Sequence, residues 1–465
     1  MSFSHRFHPS ILREYDIRGI VGATLHPADA YAVGRAFGSL VARAGGSRIA
    51  VGYDGRLSSP ALEPPLVEGL KASGITVLRI GCGPTPMLYY AAVREKTDAA
   101  AMVTGSHNPP DHNGFKMLCA GQPFFGEAIQ RLGQLAESGD FVTAAGDERR
   151  LDITDAYVAR LARDWDGGSR ALSVIWDNGN GAAGEVLGRL IGRIPGRHVL
   201  LNGVIDGHFP AHHPDPTIPE NLAELRAEVA RQKADLGIAF DGDADRIGVV
   251  DDSGTILFGD QLMILLARDV LSRNPGATII GDVKASQVLF DEIIRAGGNA
   301  LMWRTGHSLI KAKMAETKAA LAGEMSGHIF FAERWYGFDD ALYAAVRLLG
   351  ILARGAHPLS ELRTQLPQVV NTPELRFPCP DERKFAIVEE VAGRLKARGA
   401  ELAEIDGVRV ATTDGWWLLR ASNTQAVLVA RAEAKDQAGL ARLTAALVAE
   451  LAQSGIAAPD FSATG

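Results

Sequence analysis

Three times along the chain, a strand-like apolar run ends in a short acidic turn: VGYDGR closing at Arg56, IWDNGN closing at Asn180 and IGDVKA closing at Ala285. Each is followed further on by a second strand-like run that opens into a polar loop: TGSHNP at 104–109, DGDADR at 241–246 and GEMSGH at 323–328. A recurring unit constrains the fold more than any single motif, because it implies one supersecondary structure built three times.

The surrounding pattern gives that structure its class. Apolar runs at 48–52, 99–103, 172–176, 236–240, 277–280 and 319–322 read as strands, and helical spacing covers 30–44, 221–232, 261–271 and 339–353. Strands alternating with helices predict α/β layers with largely parallel sheets. In such sheets ligands bind beyond the carboxyl ends of strands, where the three polar loops would lie. The last hundred residues differ. After Leu366-Pro367 come Pro373, Pro378 and Pro380, which predict a hinge and a separate domain. The expected domains are 1–151, 152–254, 255–367 and 368–465.

Composition narrows the function. A net charge of −7 argues against a broad nucleic-acid surface. No long uncharged apolar run is present to span a membrane. Three scattered cysteines, Cys82, Cys119 and Cys379, predict a reducing compartment rather than a disulfide framework. The opening MSFSHRFHPS has no apolar signal segment, so the cytoplasm is expected.

The loops carry the chemistry. In DGDADR, Asp241, Asp243 and Asp245 alternate, and an extended turn can gather such carboxylates around one hard cation. An EF-hand would need Gly and Glu where Arg246 and Asp252 stand. A solvated acidic turn and an aspartyl phosphatase remain as alternatives. In TGSHNP, Ser106 follows a strand among Gly105, His107 and Asn108, and can act as an exposed nucleophile or belong to a mere turn. GEMSGH offers Glu324, Ser326 and His328, groups suited to sugar hydroxyls. RASNTQ at 420–425 offers the Arg420 fork with Ser422, Asn423 and Thr424, a set that fits a phosphate dianion. NGNGAAG at 178–184 contains G-x-G-x-x-G with Asp206 beyond it, a weak dinucleotide signature; its glycines can equally let a helix pack against a strand.

Taken in order, TGSHNP, DGDADR, GEMSGH and RASNT closely resemble the α-D-phosphohexomutase superfamily. REYDIRG at 13–19, DVK at 282–284, RTGHSLIK at 304–311, ERWYGFDD at 333–340 and DGVRV with GWW at 406–417 extend the resemblance over nearly the whole chain. Met325 in GEMSGH points to bacterial phosphomannomutase/phosphoglucomutases. The resemblance implies three related α/β domains with mixed, mostly parallel sheets and a smaller C-terminal α+β domain around a central cleft.

It also implies roles. Ser106 would be a phosphoserine, and with Asp241, Asp243 and Asp245 would hold Mg2+. Glu324, Met325, Ser326, Gly327 and His328 would meet the sugar, and Arg420, Ala421, Ser422, Asn423 and Thr424 the unreacting phosphate. Tyr15, Arg246, Lys284 and His307 would bind substrate. Arg18, Lys116 and His328 would assist Ser106, the last two in proton transfer. The implied reaction moves phosphate between the 1 and 6 positions of mannose or glucose phosphates through a hexose 1,6-bisphosphate. A sugar-phosphate binding protein and a phosphatase are the rival readings. The sequence departs from the usual pattern at Ala244, Gln261 and Gln425-Ala426, none of which removes a core role.

Overall fold

The computed structural model describes residues 3–168, 170–423 and 426–457, arranged around four sheets in chain order. In each of the first three sheets, the two strands of a sequence repeat lie side by side and parallel. Arg48–Tyr53 pairs with Ala99–Val103, Leu172–Asp177 with Leu236–Phe240, and Thr278–Asp282 with Leu321–Gly323. Parallel neighbours finish at the same edge, so the acidic turn and the polar loop of each repeat emerge together.

Each parallel core is then closed by a strand that returns from the polar loop. His112–Cys119, Ile247–Asp251 and Ile329–Phe331 pair antiparallel with the strand before their loop. The sheets are therefore mixed. Ala99–Val103 and Leu236–Phe240 are buried at every residue, as expected for strands covered on both faces.

The fourth sheet is wholly antiparallel, with Val427–Ala434 and Gly415–Ala421 at its centre. Helices Asp381–Ala397 and Gln437–Gln453 pack on it, an α+β arrangement with its own core of Phe377, Trp417 and Leu447.

The first three sheets share one continuous apolar core, from Met102 and Tyr89 through Trp176 and Phe240 to Leu262, Phe331 and Tyr343. Helix Ala341–Arg354 runs through it and is buried nearly all round. Asp340 caps that helix by accepting from Tyr343 N at 2.9 Å. Val283, Trp416, Leu418 and Met302 form a small apolar cluster between the third and fourth sheets. That joint is otherwise polar: Arg409 donates to Val283 O at 2.7 Å and Ala285 O at 2.9 Å, and Arg431 to Lys284 O at 2.6 Å. No helix among the described residues is long and apolar enough to cross a membrane.

Candidate active site

The side-by-side strands explain what the repeat is for: in each unit the first turn buttresses the second loop. Asp54 accepts from Gly105 N at 3.0 Å, Ala182 N donates to Gly242 O at 2.9 Å, and Asp282 accepts from Met325 N at 3.4 Å. Gly181 serves this approach, while Gly184 lets the following helix start close to Gly203. A Cβ on Gly181 would meet Gly242 O at 3.0 Å, and one on Gly184 would meet Gly203 O at 2.0 Å. The turn therefore presses against the aspartate loop instead of standing open to a pyrophosphate.

Ser106 sits at φ +49, a left-handed conformation that costs a non-glycine residue about 1 kcal/mol. A dense set of bonds holds it there. Thr104 Oγ1 accepts from Ser106 N at 2.8 Å. The buried Arg56 guanidinium donates to Ser106 O at 2.7 Å, Asn108 O at 2.6 Å, Pro109 O at 2.5 Å and His112 O at 3.0 Å. Arg56 also pairs with Asp54 at 3.3 Å. The Ser106 hydroxyl donates to Asp241 Oδ2 at 2.9 Å and lies 3.2 Å from His107 Nδ1. Burial and the charges of Arg246 and Arg18 push His107 well below its ordinary value, so its ring is neutral.

Asp241, Asp243 and Asp245 each place one oxygen within 4.8 Å of the others. All three are fully buried. Asp241 also accepts from Asp245 N and Arg246 N at 3.1 Å, which shapes the loop. Asp243 accepts from Thr85 Oγ1 at 2.5 Å and Thr104 Oγ1 at 3.1 Å. Lys116 Nζ donates to Asp243 at 2.8 Å and to Asp245. Even so, among the described residues Asp243 Oδ1 is buried without a hydrogen-bond partner, and Asp245 Oδ1 has only the His328 ring, 3.3 Å away. Orphaned carboxylate oxygens at this depth are costly unless a cation meets them, and an all-oxygen set suits Mg2+ or Ca2+. Burial, then repulsion from Asp245 and Asp243, pushes Asp241 well up. Burial works the same way on Asp245, but Lys116 and His328 outweigh it and hold that group well down. Burial opposes the Lys116 charge, yet Asp243 and Asp245 keep its ammonium well above the usual range.

The third loop joins this cluster through His328. Its Nε2 is 3.3 Å from both Asp245 Oδ1 and Arg246 Nε, and its Nδ1 is 3.0 Å from Glu324 and from the Ser326 hydroxyl. Burial would lower the ring, but Asp245 and Glu324 prevail and it is pushed up to about 9. Glu324, which burial would raise, is held near 2 by His328 and by Gly306 N, which donates at 2.6 Å. Gly327 sits at φ +91, and a Cβ there would strike Ile247 O at 2.5 Å. His307 lies 3.4 Å from Asp339, which also accepts from Lys311 Nζ at 2.9 Å.

Loop four reaches the same cleft. Asn423 Nδ2 donates to the Tyr15 hydroxyl at 2.6 Å, and that hydroxyl donates to Thr305 O at 3.1 Å. Arg420 is held by both oxygens of Asp406, at 3.0 and 3.3 Å, and Asp406 accepts from Thr305 N at 3.1 Å. Ala421 lies in the sheet opposite Leu428, and Ser422 N donates to Val427 O at 3.0 Å. Thr424 and Gln425 lie outside the described residues. Arg18 donates to Asn108 Oδ1 at 2.9 Å, beside the serine loop. Lys284 pairs with Glu374 at 2.7 Å across the third and fourth units, and Met325 Sδ rests against Arg431.

The four loops thus form one hydrogen-bonded chain of contacts. Phosphoglucomutase/phosphomannomutase family models match domain I at 9–143, domain II at 155–254, domain III at 258–370 and the C-terminal domain at 374–450. The chain belongs to this family. Similar proteins include the phosphomannomutase/phosphoglucomutase of Pseudomonas putida, 48% identical over 434 residues that cover 93% of this chain and 94% of the relative. The phosphoglucomutase of Neisseria gonorrhoeae is 47% identical over 437 residues, covering 93% and 95%. A crystal structure of a phosphoglucomutase/phosphomannomutase family protein from Burkholderia thailandensis superposes with a TM-score of 0.92 at 45% identity, covering 97% of this chain and 99% of that one.

Several residues that shape the family's site here did not stand out as site residues in the sequence. Asp54 and Arg56 lie in a turn that the repeat singles out, but nothing local reveals that Arg56 carries the serine loop. Thr85 and Glu374 have no motif of their own, and Asp339, although it lies in ERWYGFDD, has no role implied by that motif; all three become visible through partners far along the chain. The departures are absorbed locally. Ala244 adopts φ +58 with its methyl fully buried, and Gln261 accepts from Phe258 N at 3.2 Å at the start of helix Gly259–Arg273.

Proposed function

We propose that this phosphohexose mutase exchanges a phosphoryl group between Ser106 and the 1- and 6-oxygens of mannose and glucose phosphates, through a hexose 1,6-bisphosphate. The reading rests on one observation above all. The Ser106 hydroxyl is bonded to Asp241 at 2.9 Å, at the point where the serine and aspartate loops touch. A Cβ on Gly242 would come within 2.4 Å of Ser106 O, so the approach is as close as backbone permits. The relatives named for mannose and glucose phosphates support the substrate class.

Asp241, Asp243 and Asp245, with a phosphate on Ser106, would hold Mg2+, which supplies charge neutralisation for the transferring group. Lys116 and Arg246 add fixed positive charge around the aspartates. In the forward half-reaction the Ser106 oxygen–phosphorus bond breaks and a bond from the sugar hydroxyl oxygen to phosphorus forms. The hydroxyl proton passes to the Ser106 oxygen, with Lys116 and His328 as the groups that relay it. The bisphosphate turns around, and its other phosphoryl group returns to Ser106 by the reverse step. Glu324 and Ser326 take sugar hydroxyls, with His307 and Lys284 beside them. Arg420, Ser422, Asn423 and Thr424 grip the phosphate that is not reacting, and Tyr15 and Arg18 complete the wall. The four loops belong to domains bounded near residues 151, 254 and 367. The unpaired thiols of Cys82, Cys119 and Cys379 fit work in the cytoplasm.

The test is a coupled assay with mannose 1-phosphate and glucose 1-phosphate, with and without Mg2+ and a trace of hexose 1,6-bisphosphate. Ser106→Ala is expected to lose most turnover and the phosphoryl mass seen on the intact wild-type chain. Full activity in that variant refutes the nucleophile, and steady release of inorganic phosphate by the wild type would favour a phosphatase.

A further inference from the structure

A second cavity, of about 500 Å3, lies between the first and third units. Tyr89, Leu118, Met314 and Phe338 give it apolar walls. Lys96, Lys311 and Lys318 also line it, and no carboxylate among the described residues does. Lys311 is engaged by Asp339 and lies 4.8 Å from the centre of the Tyr89 ring. Lys96 and Lys318 are exposed and form no ion pair among the described residues.

The mouth of the cavity lies away from the catalytic loops, while its inner wall meets them through Lys311, which is bonded to Asp339 and lies 3.3 Å from His307. Ala99, at one end of strand Ala99–Val103, lines it, whereas the serine loop leaves the other end. At about 3.3 Å per residue the separation is roughly 15 Å. Two helices bridge that distance. Thr85–Glu95 begins where the Thr85 hydroxyl holds Asp243 and ends at Lys96. His307–Thr317 begins where His307 meets Asp339 and ends at Lys318. The carbonyl end of each helix brings about half a negative charge to the cavity mouth. The ammonium groups of Lys96 and Lys318 outweigh the two together, so the mouth is net positive.

We propose that this cavity binds a small organic acid: an apolar body of one or two rings carrying a single carboxylate or sulfonate. The volume falls within the range of about 300–1,000 Å3 for small-molecule sites. The rings would lie among Tyr89, Leu118, Met314 and Phe338, with the anionic group between Lys96 and Lys318. A sugar phosphate does not suit it, because its hydroxyls would lose water against apolar walls without gaining partners. Because both bridging helices start in the active site, an occupant that changes their spacing changes turnover.

The probe is 8-anilinonaphthalene-1-sulfonate, an aromatic monoanion, titrated into the full chain by fluorescence. The expected result is saturable one-site binding that saturating glucose 6-phosphate does not displace. Ala315→Trp, which fills the cavity from its exposed rim, is expected to abolish binding. The exposed double change Lys96→Glu/Lys318→Glu is expected to weaken it at least tenfold, while uncharged N-phenyl-1-naphthylamine binds both proteins equally. The probe should lower kcat in the wild type and leave Ala315→Trp unaffected. Undiminished binding to Ala315→Trp, or displacement by glucose 6-phosphate, overturns the site. Equal sulfonate affinity in the double variant overturns anion recognition, and an unchanged wild-type kcat overturns the link to turnover. The binding measurements stand whether or not the catalytic roles above hold.

Discussion

The Tyr15 hydroxyl, from the first unit, accepts a 2.6 Å hydrogen bond from the Asn423 amide of the fourth, while donating to Thr305 O of the third. One phenol oxygen therefore ties three units across the cleft. Burial, chiefly, raises it to about 12, so it stays protonated as a donor at any working pH. Tyr15→Phe removes both bonds at a cost of about 1 kcal/mol each. The expected outcome is a several-fold fall in kcat/KM with a Tm within a few degrees of wild type. An unchanged kcat/KM would mean that the bridge plays no part in closing the cleft.

Arg56 satisfies four carbonyls of the serine loop and its segment from inside the protein. Lysine cannot reproduce that fork. Arg56→Lys leaves buried acceptors unpaired beside Asp54 and is expected to cost about 3 kcal/mol or more in stability. Ser106 would then relax from its left-handed conformation. Chemical denaturation measures the first effect, and phosphoryl occupancy by intact mass the second. Full occupancy at wild-type stability would contradict the role.

Gly327 has no room for a side chain, since Ile247 O lies 2.5 Å from where a Cβ would stand. Its φ of +91 adds strain for any other residue. Gly327→Ala should push the third loop away from the aspartate loop. A loss of about 2 kcal/mol in stability is expected, together with a raised KM, because Ser326 and His328 flank it. Steady-state kinetics at several sugar-phosphate concentrations would reveal a wild-type KM if the loop does not move.

Ala244 presents two effects of similar size and opposite sign. Its left-handed backbone favours glycine by about 1 kcal/mol. Its buried methyl contributes about 0.8 kcal/mol that glycine would lose. Ala244→Gly should therefore change stability by less than about 0.5 kcal/mol. Thermal unfolding that moves by many degrees in either direction would show that one effect dominates.

Asp340 supplies the pH dependence. Burial, with a smaller push from Asp339, raises it to about 7, although Tyr343 N and the Tyr157 hydroxyl bond to it. An unfolded aspartate titrates near 3.9. Between those values the native protein holds a proton that the unfolded chain has lost. Stability therefore falls as pH rises from about 4 to about 7, by at most about 4 kcal/mol, and the loss is complete above that window. Asp340→Asn keeps a cap acceptor and removes the titration. Its stability advantage over wild type should grow from pH 5 to pH 8, and urea unfolding at the two values would expose a constant difference.

The alternation of Asp241, Asp243 and Asp245 already offered a candidate set of hard oxygen ligands, because residues two apart in one turn are close neighbours, while the burial that distinguishes such a set from a solvated acidic turn came only from the structure. The strand before each polar loop was equally legible, since Ala99–Val103 and Leu236–Phe240 are short apolar runs bounded by polar turns. The antiparallel return from each loop was not, because strand direction depends on the pairing that His112–Cys119, Ile247–Asp251 and Ile329–Phe331 gain only in the sheet.

What the sequence determined by itself was local: which residues sit on each loop, and that one loop design is repeated three times. Tertiary structure alone decided which distant groups complete each loop. Arg56 reaches carbonyls about fifty residues ahead, Thr85 holds Asp243, and Asn423 finds Tyr15. The physical reason is that hydrogen bonds and ion pairs act over a few ångströms, and distance along a chain says nothing about distance in space until parallel strands bring their ends to one edge.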